Sequence, residues 1–224
     1  MIRWEQPGYV VAFTTRRGGV SDGVYDSLNL TAGTGDDVRR VADNRRIACD
    51  DLGLDGERLS FNKQVHSTTV LPAGSRGAHA DGIWSGTSGE AMLAMTADCL
   101  PIAIARTDGE RRLAVLHAGW RGLADGIVAE GVAVVGGETA AVIGPAIGPC
   151  CYEVGDEVSS LFDKDLTRDR KLDLWSAAER ALERAGVRTV ERVDLCTRCH
   201  PDLFFSHRRS GRDRGAQGVI GALA

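Results

Sequence analysis

Short apolar or β-branched runs recur along this chain, each closed off by turn residues, at 9–15, 68–71, 91–96, 101–106, 113–117, 140–143, 190–194 and 203–207. Runs of this length suit strands, because a helix needs a longer stretch of 3.6-fold periodicity to bury a face. Helical patterns are fewer. Asp36 or Asp37 is placed to cap a helix whose apolar stripe runs Val38, Val41, Ala42, Ala48 and Leu52, with Gly53 ending it. A second helix follows the Ala118-Gly119 turn, carrying Leu123, Ile127 and Val128. A third is predicted near 156–163 with Val158, Leu161 and Phe162 inward. A fourth spans 173–185, with Leu174, Ala178, Ala181, Leu182 and Ala185 on one face and Gly186 as its stop.

Strands and helices in this irregular order predict an α/β (α+β) fold of mixed β-sheets layered with helices, rather than a regular βαβ alternation. With 224 residues and no repeat or Pro/Gly/Ser-rich linker, one domain spanning 1–224 is expected. Acidic residues outnumber basic ones, giving a formal charge of −4, so nothing electrostatic favours a nucleic-acid partner. Residues 1–19 lack the apolar core of a signal peptide and no later run is long enough to span a membrane, which predicts a cytoplasmic protein. In a reducing compartment, Cys49, Cys99, Cys150, Cys151, Cys196 and Cys199 point to metal binding or catalysis ahead of disulfides. Cys49, inside a helical pattern, reads as a small buried apolar residue.

Three segments stand out for chemistry: Asn62-Lys63-Gln64-Val65-His66, Thr96-Ala97-Asp98-Cys99-Leu100-Pro101 and Leu116-His117-Ala118-Gly119-Trp120-Arg121-Gly122. Each sets an imidazole or a thiol beside a strand, where side chains from separate strands can converge. Zinc accepts such mixed nitrogen and sulfur donors, and three protein ligands leave a fourth position for water or substrate. The donors are far apart in the chain and match no compact zinc motif, so satisfied core residues are the competing reading.

Arg16 and Arg17, in Thr14-Thr15-Arg16-Arg17-Gly18-Gly19, lie beside glycines whose amides can approach an anion. Arg121 follows Gly119 at a helix start, a second place for phosphate or carboxylate. Two solvated surface arginines are the alternative. Gly144-Pro145-Ala146-Ile147-Gly148-Pro149-Cys150-Cys151-Tyr152-Glu153 is a rigid loop suited to a pocket wall or a plain turn. Cys196-Thr197-Arg198-Cys199-His200 matches the spacing of covalent haem attachment and of a redox Cys-x-x-Cys. Haem attachment requires export, and a redox pair belongs at a helix start in a βαβ setting, so a structural turn is the preferred reading. Phe205-Ser206-His207-Arg208-Arg209 either completes an anion pocket or marks a strand leaving the core.

Taken together, TTRRGG, QVHS, ADGIWS, TADCLPI, LHAGWRGL, IGPAIGPCCYEVG and FFSHRR run in order along nearly the whole chain. In these the chain resembles the YfiH family, long labelled multicopper polyphenol oxidase or laccase-domain proteins and now regarded as purine nucleoside phosphorylases. The resemblance implies that His66, Cys99 and His117 are the ligands of a catalytic zinc. It implies mixed sheets layered with helices, as in the cytotoxic necrotizing factor catalytic domain. It further implies phosphorolysis of adenosine, inosine and S-methyl-5′-thioadenosine, with adenosine deaminase activity at the same site, and puts Arg16 near that site. Arg16 and Arg121 would then hold phosphate. Asp98 is a candidate acid or a support for the loop.

Two departures are visible: Arg17 stands where the family often has histidine, and Gly215-Ala216-Gln217 where it has Gly-Arg-Gln, with Arg214 one position earlier. A metal-free cysteine hydrolase using Cys99 and His117, with a peptidoglycan precursor as one substrate class, is the alternative enzyme. A copper polyphenol oxidase needs many histidines, and this chain has 5; adventitious Cu2+ in the open position would give no more than weak colour reactions in vitro.

Overall fold

The computed structural model describes residues 1–75 and 77–224. In chain order the elements are β1 (Ile2–Trp4), β2 (Tyr9–Phe13), α1 (Val38–Asp50), β3 (Val70–Pro72), β4 (Gly82–Ser85), β5 (Met92–Thr96), β6 (Leu100–Arg106), β7 (Leu113–Ala118) and α2 (Trp120–Asp125). They continue with α3 (Ile127–Val135), β8 (Thr139–Ile143), α4 (Asp156–Ser159), β9 (Thr167–Arg168), β10 (Lys171–Leu172), α5 (Leu174–Arg184), β11 (Thr189–Arg192), α6 (His207–Ser210) and β12 (Gln217–Leu223). A six-stranded mixed sheet has the order β11-β8-β6-β7-β4-β3, and a four-stranded antiparallel sheet the order β1-β2-β12-β5. Strands β9 and β10 form a small hairpin.

Side-chain alternation sorts the core into layers. On β6, Leu100, Ile102 and Ile104 face the helical side with Leu123, Ile127, Val128 and Leu182. Ala103 and Ala105 face the opposite way, where they meet Phe13, Met92 and Val219 of the second sheet. That sheet's other face carries Ala12, Leu93 and Ile220 against Ala48, Cys49 and Leu52 of α1 and its C-terminal turn. The order is therefore helices, sheet, sheet, helix. Strands covered on both faces read as continuous apolar runs, and each fully buried Leu or Ile there contributes about 1.5–3 kcal/mol.

Helix α1 starts as the sequence predicts, with the Asp37 carboxylate accepting from Arg39 N at 2.8 Å. Its buried stripe differs. Val38 and Ala42 are exposed, and Val41, Asn44, Ala48 and Cys49 face inward. Asn44 is buried because its carboxamide serves the neighbouring loop, donating to Ser21 Oγ and Asn29 O and accepting from Val20 N. Helix α5 begins at its Asp173 cap. The helix expected after Gly119 is two helices, broken where Gly126 adopts φ +101° and its N–H closes back onto Gly122 and Leu123. Near 156–163 only α4 forms, and Leu161 is exposed.

The strand expected at 203–207 does not form: Leu203 ends a turn, His207 already opens α6, and the residues between them join no sheet. Phe205 N instead donates to Gln217 Oε1 at 2.8 Å, and Gln217 Nε2 donates to Phe205 O at 3.2 Å, so one carboxamide replaces a strand neighbour. Ser206 then caps α6. Strands β1, β4 and β12 escape the sequence pattern: β1 is very short, and Gly82, Gly218 and Gly221 dilute the other two.

Candidate active site

Antiparallel pairing of β6 with β7 sets Leu100 opposite Ala118 and Pro101 opposite His117. Cys99, just before β6, therefore lies beside His117 near the end of β7. His66 arrives on the loop before β3. The donor atoms of His66, Cys99 and His117 all lie within 4.8 Å of one another. His66 Nε2 stands 3.8 Å from Cys99 Sγ, and the two imidazoles meet edge to face with centroids 4.8 Å apart. Gly119 makes this approach possible, since a Cβ there would lie 2.6 Å from His66 Cδ2 and 3.2 Å from Cys99 Sγ.

A buried carboxylate that the sequence did not single out organises the group. Asp81 accepts from the backbone N–H groups of Val65, His66 and Ser67 at 3.1, 3.0 and 2.7 Å, and from Ser67 Oγ at 2.8 Å. Those bonds support His66 at φ +61°, a conformation costly for a residue with a side chain. The same carboxylate lies 2.8 Å from His117 Nδ1. With Nδ1 engaged there, Nε2 is the ring nitrogen left for another partner. Burial alone would push the Asp81 carboxyl up, but His117 and the Ser67 donors hold it far below the usual carboxylate range. Gln64 ties the same loop to β5 through bonds to Met95 O and from Met95 N.

Burial likewise opposes charge on Cys99 and His117, and each overcomes it through the other. The Cys99 thiol is lowered to about 6, mainly by the His117 charge and hydrogen bond and then by His66. His117 is raised to about 9 by Cys99 and Asp81. Zinc bonds of roughly 2.0–2.1 Å to nitrogen and 2.3 Å to sulfur place tetrahedral donors about 3.3–3.8 Å apart. Donors gathered within 4.8 Å fit such an ion with small adjustments. His117 is buried, Cys99 half-buried and His66 exposed, so the group is open on one side.

That side opens into a cavity of about 670 Å³, lined among others by Met95, Trp120, Ile147, Tyr152, Arg208 and Arg214. The volume suits a small organic ligand. Thr34 Oγ1, Asn62 Nδ2, Thr96 Oγ1 and Arg214 Nε are buried without hydrogen-bond partners, and all four residues line the cavity. Buried polar atoms are rarely left unpaired, and among the described residues these lie around this one cavity. Tyr152 is held protonated by burial first and by the nearby Cys99 charge next. Both Asp98 oxygens are engaged, by Thr197 Oγ1 and by Arg208 N at 2.6 Å each, which makes Asp98 a brace between loops.

Residues 10–223 match the family described as multi-copper polyphenol oxidoreductase laccase. A Pseudomonas aeruginosa purine nucleoside phosphorylase is 40% identical over 226 residues, covering 93% of this chain and 92% of that protein. The Escherichia coli purine nucleoside phosphorylase YfiH is 36% identical over 231 residues, covering 92% and 91% respectively. This chain belongs to the YfiH family. A Neisseria meningitidis protein of known crystal structure superposes with a TM-score of 0.88 at 34% identity, covering 97% of this chain and 95% of that one.

Neither Arg16 nor Arg121, the arginines expected to hold phosphate, lines the cavity. Arg16 borders a separate depression with Arg17, Asp26 and Asp202, where its guanidinium donates to Asp26 O at 2.6 Å and Pro201 O at 3.0 Å and packs over the Phe205 ring. Arg121 is exposed and stacks on the Trp120 ring at 4.4 Å. Among the described residues the arginines lining the cavity are Arg208, which donates to Glu153 O at 2.9 Å, and Arg214. Among the described residues no helix is long and apolar enough to cross a membrane.

Proposed function

We propose that this chain is a zinc-dependent purine nucleoside phosphorylase, acting on adenosine, inosine and S-methyl-5′-thioadenosine, with adenosine deaminase activity at the same site. The observation that carries the reading is the convergence of His66, Cys99 and His117 at an open side of a nucleoside-sized cavity that also holds unpaired buried polar atoms. The activity for which the relatives are named supports the reaction class.

A bound zinc would supply Lewis acidity at that side of the cavity. Cys99 would hold it as thiolate, and His66 and His117 as neutral imidazoles, with Asp81 fixing the His117 ring. Phosphorolysis brings phosphate to the anomeric carbon of the sugar while the bond to the purine breaks and its electrons leave with the base. We assign phosphate binding to Arg208 and Arg214, through charge-assisted hydrogen bonds, in place of Arg16 and Arg121. Trp120 and Ile147 offer apolar surface to the purine and exclude water. Residues 1–224 act as one domain in this reading, and a working thiolate goes with a cytoplasmic enzyme.

The test is an inosine assay with and without inorganic phosphate, on wild type and Cys99→Ala, with zinc measured in parallel. Ribose 1-phosphate formed only with phosphate, by wild type only, is expected. Its absence from zinc-loaded wild type overturns the proposal.

One observation favours a second reading. The lowered Cys99 thiol beside His117 also describes a nucleophilic pair for a metal-free hydrolase of an amide, such as a peptidoglycan precursor. Covalent trapping at Cys99, with turnover surviving a strong chelator, would select it.

A further inference from the structure

Four cysteines outside the cavity meet at one point. Cys150 and Cys151 come from the loop after β8, Cys196 and Cys199 from the loop after β11, and all four sulfurs lie within 4.8 Å of one another. We propose that Cys150, Cys151, Cys196 and Cys199 form a second metal site, a closed structural Zn2+ centre of four thiolates.

Geometry favours an ion over a disulfide. Cys199 Sγ lies 3.6 Å from Cys150 Sγ and 3.4 Å from Cys151 Sγ. A tetrahedron with zinc–sulfur bonds of about 2.3 Å has edges of about 3.8 Å, whereas a disulfide needs about 2.05 Å. No pair is bonded, and one sulfur is shared almost equally between two others. The backbone presents each pair on a tight turn. Cys151 N donates to Gly148 O at 2.9 Å, and Cys199 N to Cys196 O at 3.1 Å. Gly148 N donates to Cys196 Sγ at 3.3 Å, a bond that favours the thiolate. Four sulfurs suit zinc or iron, and a protein atom at each of four positions leaves no opening for substrate. On binding, the thiols release their protons and the four sulfurs share the two positive charges of the ion.

The centre has a structural task that the sheets do not perform. Among the described residues only one bridge, Ala146 with Cys196, and the bond from Thr197 N to Ala146 O join these loops in sheet fashion. The first loop carries Ile147 and Tyr152 into the cavity wall, and the second carries Thr197, which holds Asp98. Zinc between them staples that wall. The inference does not depend on the phosphorylase reading.

The test uses the full chain, purified under reducing conditions and loaded with Zn2+ or Co2+. Wild type should bind about two ions and Cys196→Ser/Cys199→Ser about one. A His66→Ala/His117→Ala variant should keep one ion, with X-ray absorption showing sulfur-only ligation at about 2.3 Å and the cobalt form showing intense thiolate bands. Since substituted loops can misfold, alkylation mapping on wild type gives an independent readout: zinc should protect the four cysteines, and chelation should expose them. No ion in the His66→Ala/His117→Ala variant, equal alkylation with and without zinc, or an isolated Cys199 disulfide to Cys150 or Cys151 would overturn the proposal.

Discussion

His66, Cys99 and His117 are held by strand ends and a buried carboxylate, whereas Cys150, Cys151, Cys196 and Cys199 are held by two irregular loops. The first group mixes nitrogen with sulfur, has three donors and opens on a cavity. The second is all sulfur and surrounds its own centre. An open site must keep its shape when substrate and product exchange, so its geometry has to come from the protein. Asp81 supplies that geometry through three backbone amides, a hydroxyl and one imidazole. A closed site has no such demand, and its ion can supply the geometry to the loops instead. Removing the metal should therefore leave the His66 loop in place and loosen the wall that carries Tyr152.

The contrast can be broken most directly at the sulfur ligand of the open group. Cys99→Ala should lower phosphorolysis by about 10³-fold or more, with loss of one bound ion and no fall in folding stability large enough to explain it. Activity within tenfold of wild type would remove the thiolate from the chemistry.

Next comes pH. In the metal-free chain, with Cys99 lowered to about 6 and His117 raised to about 9, the pair is thiolate and imidazolium between those values. Metal must then displace the His117 proton, so affinity at this site should rise with pH. The expected slope is about tenfold per pH unit across that window, steeper below it where the thiol is protonated as well. Competition with a chelator, at constant ionic strength and in the Cys196→Ser/Cys199→Ser background, measures it. A flat profile refutes the pairing.

Asp81→Asn keeps the size of the hub but removes its charge and one acceptor oxygen. Zinc affinity at the open site should drop about 10–100-fold. The melting temperature should fall too, because at least one of the amides of Val65, His66 and Ser67 loses its partner. An unchanged affinity would mean that the His66 loop and the His117 ring are positioned by packing alone.

The smallest effect concerns the anion. Arg214→Ala should raise KM for phosphate about tenfold, the loss of roughly one charge-assisted bond. Arg16→Ala should change it less than about twofold, because the Arg16 guanidinium is committed to Asp26 O and Pro201 O outside the cavity. The reverse ranking would return the phosphate to the Arg16 loop.

The donors drew attention because they sit in unusual local company, but only the YfiH resemblance joined them into one ligand set. Cys99 stands at a polar corner between two apolar runs, and His117 lies two residues before Gly119 at a strand-to-helix turn. Asp81 was not legible. It precedes a short strand whose Gly82 masks the pattern, and its importance comes from residues 65–67 and 117, none of which is near it in sequence. The Cys196-Cys199 pair was visible as a spacing but read as a turn, since the Cys150-Cys151 pair that completes it lies in the other loop.

Local physics acts over one turn of helix or one strand, and to that range the amino-acid order was decisive. It set the Asp37 and Asp173 caps, the cores of β2 and β5–β8, and the strand ends that carry Cys99 and His117. Which face each strand buries, the Gln217 carboxamide standing in for a strand, and the presence of Arg214 on the cavity and Arg16 outside it were decided by the folded chain alone. Sheet order and register bring distant residues together, and no pattern of neighbours along the chain records which strand lies beside which.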